Sequence, residues 1–232
     1  MGQIYLVRHG QASFGKADYD QLSTLGEQQG RILGDWFAQR NQQFNRIVTG
    51  AMKRHHQTAV ACLGQMPQAS SGWDVDAGFN EYDHHEVLAR HRPDFADPAN
   101  VKQFLRETPQ PQRAFQRIFE QAMMRWMGGV HDADYAETWP QFRARCVGAL
   151  QRLVDSAEAS QNIIVFTSGG TIATLCQHIL GLPDRNVMEL NWTLVNAAVT
   201  KLFYQPDRIV LSYLNNFSHL ESAGLENTVT YR

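Results

Sequence analysis

Four short stretches carry the residues able to do chemistry: Arg8-His9-Gly10, Lys53-Arg54-His55-His56, the run from Asn80 to Glu86, and Ser168-Gly169-Gly170. Two arginines, an imidazole, a carboxylic acid and a glycine-rich turn suit a phosphoryl group. A phosphate dianion is matched by bidentate guanidinium donors and by the unpaired N–H groups at a helix N-terminus. An imidazole nitrogen can attack phosphorus directly, and the leaving alkoxide then needs a proton that a carboxylic acid can supply. Glu81, Asp83 and Glu86 lie close enough in sequence that any of the three could be that acid.

The elements around these stretches place them at strand ends. Ile4-Tyr5-Leu6-Val7 is too short for a helix and rich in branched and aromatic side chains, so it reads as a buried strand that delivers His9 just past its carboxyl end. Phe44 to Thr49 reads as a second strand, and the helical pattern from Ala51 carries Arg54 in its first turn, where the helix dipole disfavours a cation and an anion-binding role becomes attractive. A segment around Trp73 to Val75 reads as a third strand. Ile163-Ile164-Val165-Phe166 is another apolar strand, and Ser168 follows it at the start of a helix that Gly181 and Pro183 end. Ala197 to Tyr204 and Ile209 to Leu214 form a hairpin around Gln205-Pro206-Asp207-Arg208. Helices are expected after Ser23, as its N-cap, and from Trp139 to Ala159, with Thr138 as cap. Strands alternating with helices and closing on a hairpin indicate an α/β three-layer sandwich with a mainly parallel sheet, in which ligands bind at the carboxyl rim of the strands. We expect one domain over residues 1–232, with a proline-punctuated helical insertion or lid at 88–135 that contains a helix from Arg113 to Met127. Met123, Met124, Trp126 and Met127 read as the inner face of that helix rather than a substrate box.

The 232 residues hold 21 Lys and Arg against 23 Asp and Glu, a near balance that gives no electrostatic reason to expect nucleic acid or an anionic membrane as partner. The expected partner is a small phosphorylated substrate or inorganic phosphate. No apolar run reaches membrane-spanning length, and the first strand begins at Ile4, leaving no room for a signal peptide. Cys62, Cys146 and Cys176 are odd in number and sit in apolar helical context, which reads as buried thiols in a reducing cytoplasm. The cluster Glu81, Asp83, His84, His85 and Glu86, even with His55-His56, fits no zinc spacing, because adjacent histidines on an extended loop are expected to point apart. No metal or organic cofactor is expected.

Taken in order, the motifs resemble the histidine phosphatase superfamily, the phosphoglycerate mutase-like fold. Leu6-Val7-Arg8-His9-Gly10-Gln11 is similar to its signature, and Leu22-Ser23-Thr24-Leu25-Gly26-Glu27-Gln28-Gln29 to the helix start that follows. Lys53-Arg54-His55-His56-Gln57-Thr58-Ala59 is similar to its second arginine motif, Asn80-Glu81-Tyr82 falls where its proton donor stands, and Leu214-Asn215-Asn216-Phe217-Ser218-His219-Leu220 resembles a common ending. The resemblance implies a phosphatase acting on a small phosphomonoester, with His9 as nucleophile through a phosphohistidine. Arg8 and Arg54 would clamp the phosphoryl oxygens with Gly10, Ser168 and Gly169, and Glu81 would serve as the acid. Two positions depart from the family pattern: Ser168 stands where a second His usually precedes Gly-Gly, and Gly15 where many relatives have a phosphate-binding Asn. Phe166 occupies the position of the first glycine of a Gly-x-Ser-x-Gly elbow, so Ser168 is expected to cap its helix and contact bound phosphate rather than act as a nucleophile. One of His55, His56, His84 or His85 could swing in to replace the charge of the missing histidine. The same motifs also fit a catalytically impaired member that binds a phosphorylated ligand, or a mutase-type phosphotransferase.

Overall fold

A computed structural model of the protein describes residues 1–13, 20–67 and 72–231. In chain order its elements are β1 (Gly2–Arg8), α1 (Thr24–Gln39), β2 (Arg46–Thr49), α2 (Lys53–Leu63), β3 (Asp74–Val75), α3 (His84–His91), α4 (Pro98–Glu107), α5 (Pro111–Met127), α6 (Trp139–Asp155), β4 (Asn162–Thr167), α7 (Gly169–Leu180), α8 (Asp184–Thr193), β5 (Val199–Gln205), β6 (Arg208–Asn216) and α9 (Ser218–Ser222). The chain forms two compact units, one of Met1–Glu81 with Arg145–Arg232 and the other of Tyr82–Ala144.

The first unit is built on a sheet in the order β3-β2-β4-β1-β5-β6. The strands β3, β2, β4 and β1 are parallel, and the β5–β6 hairpin adds antiparallel to β1. The sheet is mixed, mainly parallel and flanked by helices, an α/β architecture as the alternation of strands and helices led us to expect. Residues along β1 and β4 are apolar on both faces because both faces are covered. Tyr5, Val7, Ile164 and Phe166 pack with Leu33 and Phe37 of α1 and Ala59 and Cys62 of α2, whereas Ile4, Leu6, Ile163 and Val165 on the opposite face are fully buried too. Each such side chain contributes about 1.5–3 kcal/mol by leaving water. All three cysteines are buried and unpaired, and burial pushes the Cys176 thiol up to about 12. Among the described residues no helix is long and apolar enough to cross a membrane.

The second unit holds α3, α4 and α5, with the first turns of α6. Its centre is aromatic: the Trp126 ring lies 5.1 Å from Tyr82, 5.4 Å from Trp139 and 5.7 Å from Phe142. Met123 and Trp126 are buried there, but Met124 of the same run is exposed. The segment expected as an extended loop carrying His84 and His85 is instead the first turn of α3. Asp83 Oδ1 accepts from the amides of His85 at 2.9 Å and Glu86 at 3.0 Å, which nucleates the turn and brings the two imidazole rings to 4.1 Å rather than apart. Helix α4 was likewise not evident from the sequence; Asp97 caps it by accepting from Ala99 N at 2.8 Å, with Pro98 at its first position.

Two glycines inside helices of the first unit face opposite surroundings. A Cβ on Gly34 of α1 would overlap the Cys62 carbonyl oxygen of α2, and a Cβ on Gly148 of α6 would meet nothing nearer than Arg152 Nη1 at 3.5 Å. Gly34→Ala must push two helices apart and is expected to destabilise by about 1–3 kcal/mol. Gly148→Ala removes backbone freedom without a clash and should stabilise by up to about 1 kcal/mol. Urea unfolding of the two variants checks both signs.

Candidate active site

All the candidate residues on strand-end loops reach the same rim because their strands are parallel. Arg8 pairs with Thr167 across β1 and β4, and Thr49 pairs with Phe166 across β2 and β4. The ladder continues one residue further, through His9 N to Thr167 O at 2.8 Å and Gly50 N to Phe166 O at 3.0 Å. The loop before the antiparallel β5 comes to the same rim, where Ala197 N and Asn196 Nδ2 donate to the His9 carbonyl at 3.2 and 3.3 Å.

The His9 ring is buried, and its Nδ1 lies 2.7 Å from the carbonyl oxygen of Gly10. A carbonyl can only accept, so Nδ1 carries the proton and Nε2 keeps its lone pair. Burial, then the charges of Arg54 and Arg8 and the nearby His55, hold the imidazole well below its ordinary pKa, so it stays neutral at pH 7. The turn after His9 needs glycine because a Cβ on Gly10 would overlap the carbonyl oxygen of Gly26 in α1. Gly10 N donates to Thr58 Oγ1 at 3.1 Å, and Thr58 in turn donates to the Arg54 carbonyl at 2.7 Å. Gly10 therefore holds the imidazole through its carbonyl and has its amide engaged by α2.

Arg54 is buried in the first turn of α2, whose N-cap position, Met52, offers no side-chain acceptor. Asp20 supplies the compensation: one carboxylate oxygen pairs with Arg54 Nη1 at 2.9 Å and the other accepts from Lys53 N at 2.9 Å. Even so, Arg54 Nε is buried with no hydrogen-bond partner among the described residues, a donor that an incoming anion would satisfy at a gain of about 1–3 kcal/mol. Arg8 is anchored differently, donating from Nη1 to the Leu194 carbonyl and, at 2.9 Å, to that of Tyr231. Its guanidinium lies against Gly169, where a Cβ would stand 3.2 Å from Arg8 Nε.

Glu81 closes the set. Its Oε2 accepts from Gly170 N at 3.0 Å, in the first turn of α7. The backbone before it is pinned by Thr167 Oγ1 donating to the Phe79 carbonyl at 2.6 Å and by Thr171 Oγ1 and Arg145 Nη1 donating to that of Asn80 at 3.0 Å each. The other two candidate acids are occupied within the second unit, Asp83 as the α3 cap and Glu86 on Ala136 N at 3.1 Å and Arg90. Ser168 stands at the N-cap position of α7, but its hydroxyl does not cap the helix as expected. It lies 2.7 Å from Nε2 of His55, a fully buried ring whose centroid is 5.9 Å from that of His9. A buried imidazole needs a polar partner, and that need takes the hydroxyl away from the helix end. His9, Arg8, Arg54, Gly10, Ser168, Gly169 and Glu81 are thus gathered in the first unit. Gly15 lies outside the described residues. Among the described residues no group of three or more His, Cys, Asp or Glu is placed to hold a metal ion. The contacts of Asp20 and Thr58 escaped the sequence reading; Thr58 stood within a motif stretch and Asp20 did not, and neither residue's partner was visible.

The model of the histidine phosphatase superfamily (branch 1) matches residues 4–217. Among solved structures, a phosphoserine phosphatase mutant from Entamoeba histolytica is similar with a TM-score of 0.64 and 15% identity, over 95% of this chain and 100% of that one. A phosphoglycerate mutase from Bacillus anthracis gives 0.63 and 18%, over 94% of each chain, and a mycobacterial glucosyl-3-phosphoglycerate phosphatase 0.60 and 21%, over 93% and 99%. At these identities the likeness is one of fold. No curated protein matches the chain in sequence.

Buried neutral histidines make stability depend on pH in a definite direction. His9 and His55 are held well below 6.5, and His219 is lowered to about 4 chiefly by burial. Well above pH 6.5 these rings are neutral folded or unfolded and contribute no difference. As pH falls below that value the unfolded chain binds protons that the folded one does not, so stability drops, and for His219 the full penalty is in place below about pH 4. Urea titrations from about pH 7.5 to 4 should show this loss, at up to about 1.4 kcal/mol per pH unit for each ring. His219→Gln should shallow the slope by one ring's share, and an unchanged slope would exclude His219 as a contributor.

Proposed function

The chain belongs to the histidine phosphatase superfamily, and from that membership we propose that it hydrolyses a small phosphomonoester through a phosphohistidine on His9. The observation that carries the reading is the state of His9: a neutral imidazole with its Nδ1 proton tied to the Gly10 carbonyl and its Nε2 without a hydrogen bond among the described residues, beside two buried guanidinium groups. In this reading Arg8, Arg54 and the first turn of α7 receive the phosphoryl oxygens. The Nε2 lone pair attacks phosphorus, the bond to the ester oxygen breaks, and Glu81 gives its proton to the departing alkoxide. Water then attacks phosphorus on the opposite side of the P–N bond, Glu81 takes the water's proton, and His9 and inorganic phosphate are released. Burial favours this use of charge, since fixed guanidinium donors in a water-poor site stabilise charge developing on the phosphoryl oxygens without reorganising. The substrate class is supported by structural neighbours determined with phosphoserine and with 3-phosphoglyceric acid.

Rapid-quench trapping alongside turnover of an aryl phosphate tests the proposal. Wild type should accumulate an acid-labile phosphoenzyme and turn over, and His9→Ala should do neither. Glu81→Gln should lose about 10²–10⁴-fold in kcat, the range for a general acid–base. A wild type that binds phosphate but never becomes labelled would replace hydrolysis with phospho-ligand binding.

A further inference from the structure

In the family pattern the residue before Gly-Gly is a histidine, and in this chain the position holds Ser168 with the imidazole of His55 behind it. The two side chains come from elements 113 residues apart and meet at 2.7 Å, both fully buried. The other ring nitrogen, Nδ1, lies against Gly50, so closely that a Cβ there would overlap it. The Gly50 carbonyl draws a proton to Nδ1, although the contact falls short of a well-aligned hydrogen bond. In the neutral ring that leaves Nε2 as an acceptor, so the Ser168 hydroxyl donates to His55 and presents only oxygen lone pairs elsewhere. In that state Ser168 would repel a phosphoryl oxygen.

A hydroxyl can both accept and donate, and this resolves the conflict. We propose that His55 and Ser168 form a proton-coupled phosphoryl clamp: when a tetrahedral dianion enters, His55 takes a proton from solvent, its Nε2–H donates to Ser168 Oγ, and the Ser168 hydroxyl turns to donate to the anion. His55 is then an imidazolium one hydroxyl removed from the ligand, and it restores the charge that a directly placed histidine would carry. It is a positioning residue, acting through Ser168. The inference rests on the reading that this site binds phosphoryl groups.

The surroundings explain why the charge should come and go with the ligand. Without an anion, His55 faces Arg54 and His56 of its own helix and His9 from the loop after β1, while burial disfavours its charge still more. Across the contact, Ser168 is neutral, and the Glu81 carboxylate sits at the start of α7, engaged with Gly170 N. A dianion would offset the Arg54 charge that opposes a proton on His55, which makes protonation and anion binding mutually favourable.

Tungstate is a suitable probe, a tetrahedral dianion that carries no proton of its own near neutrality. Calorimetric Kd values on wild type between about pH 6.5 and 8 should weaken by about tenfold per pH unit, the linkage signature of about one proton taken up per anion bound. Nitrogen-15 spectra should show both ring nitrogens of His55 moving to imidazolium positions only with tungstate. Ser168→Ala should bind with a nearly flat pH dependence. A flat wild-type profile, an imidazolium on His9 in place of His55, a full slope retained in Ser168→Ala, or no tungstate binding would each overturn the clamp. Phosphoenzyme trapping on the same preparation separates the two readings. A labelled His9 with a flat tungstate profile removes the clamp and leaves the phosphatase, whereas proton-coupled binding without label removes hydrolysis and leaves the clamp.

Discussion

Everything at the candidate site depends on the parallel pairing of β1 and β2 on either side of β4. Because the three strands run the same way and end level, with Arg8 opposite Thr167 and Thr49 opposite Phe166, each following loop starts from the same plane. A slip of one residue would turn Tyr5 and Val7 from one helical layer to the other and send His9 to the wrong side of the rim. The register is therefore defended by the apolar content of the strands. The site inherits its precision from packing that has no chemical role.

The polar residues then solve a problem that the packing creates. Burying two arginines and two histidines within one rim would be prohibitive if all were charged. The fold keeps His9 and His55 neutral, gives Arg54 the Asp20 carboxylate and gives Arg8 backbone carbonyls. Among the described residues, the buried Nε–H of Arg54 still lacks an acceptor.

Much of this was legible in the sequence, and the divide between legible and hidden follows physical lines. His9 and Ser168 could be placed at strand ends because four-residue apolar runs bounded by glycine have few other readings, and the hairpin after Gln205 because its turn chemistry is local. Arg54 could be placed at a helix start for the same reason. The contact of His55 with Ser168 could not be read, since it depends on which face of α2 turns toward β4, and His55 and His56 are equivalent as letters. Helix α3 was hidden because a single Asp83 cap outweighed a polar composition that looks like a loop. The hydroxyl of Ser168 was misassigned because serine before a helix usually caps it, and only the tertiary structure shows a stronger claimant.

The anchoring of Arg8 has a kinetic side. Its Nη1 donates to carbonyls 186 and 223 residues away, and Gln29 Nε2 reaches the Thr228 carbonyl 199 residues away at 2.7 Å. Loops of that length close slowly, and their contacts repay the lost chain entropy only after the intervening sheet exists. Arg8 in β1 thus waits for residues far along the sequence before its hydrogen bonds are complete. Assembly of the candidate site is a late event, so a folding chain can acquire its core well before it acquires a complete rim.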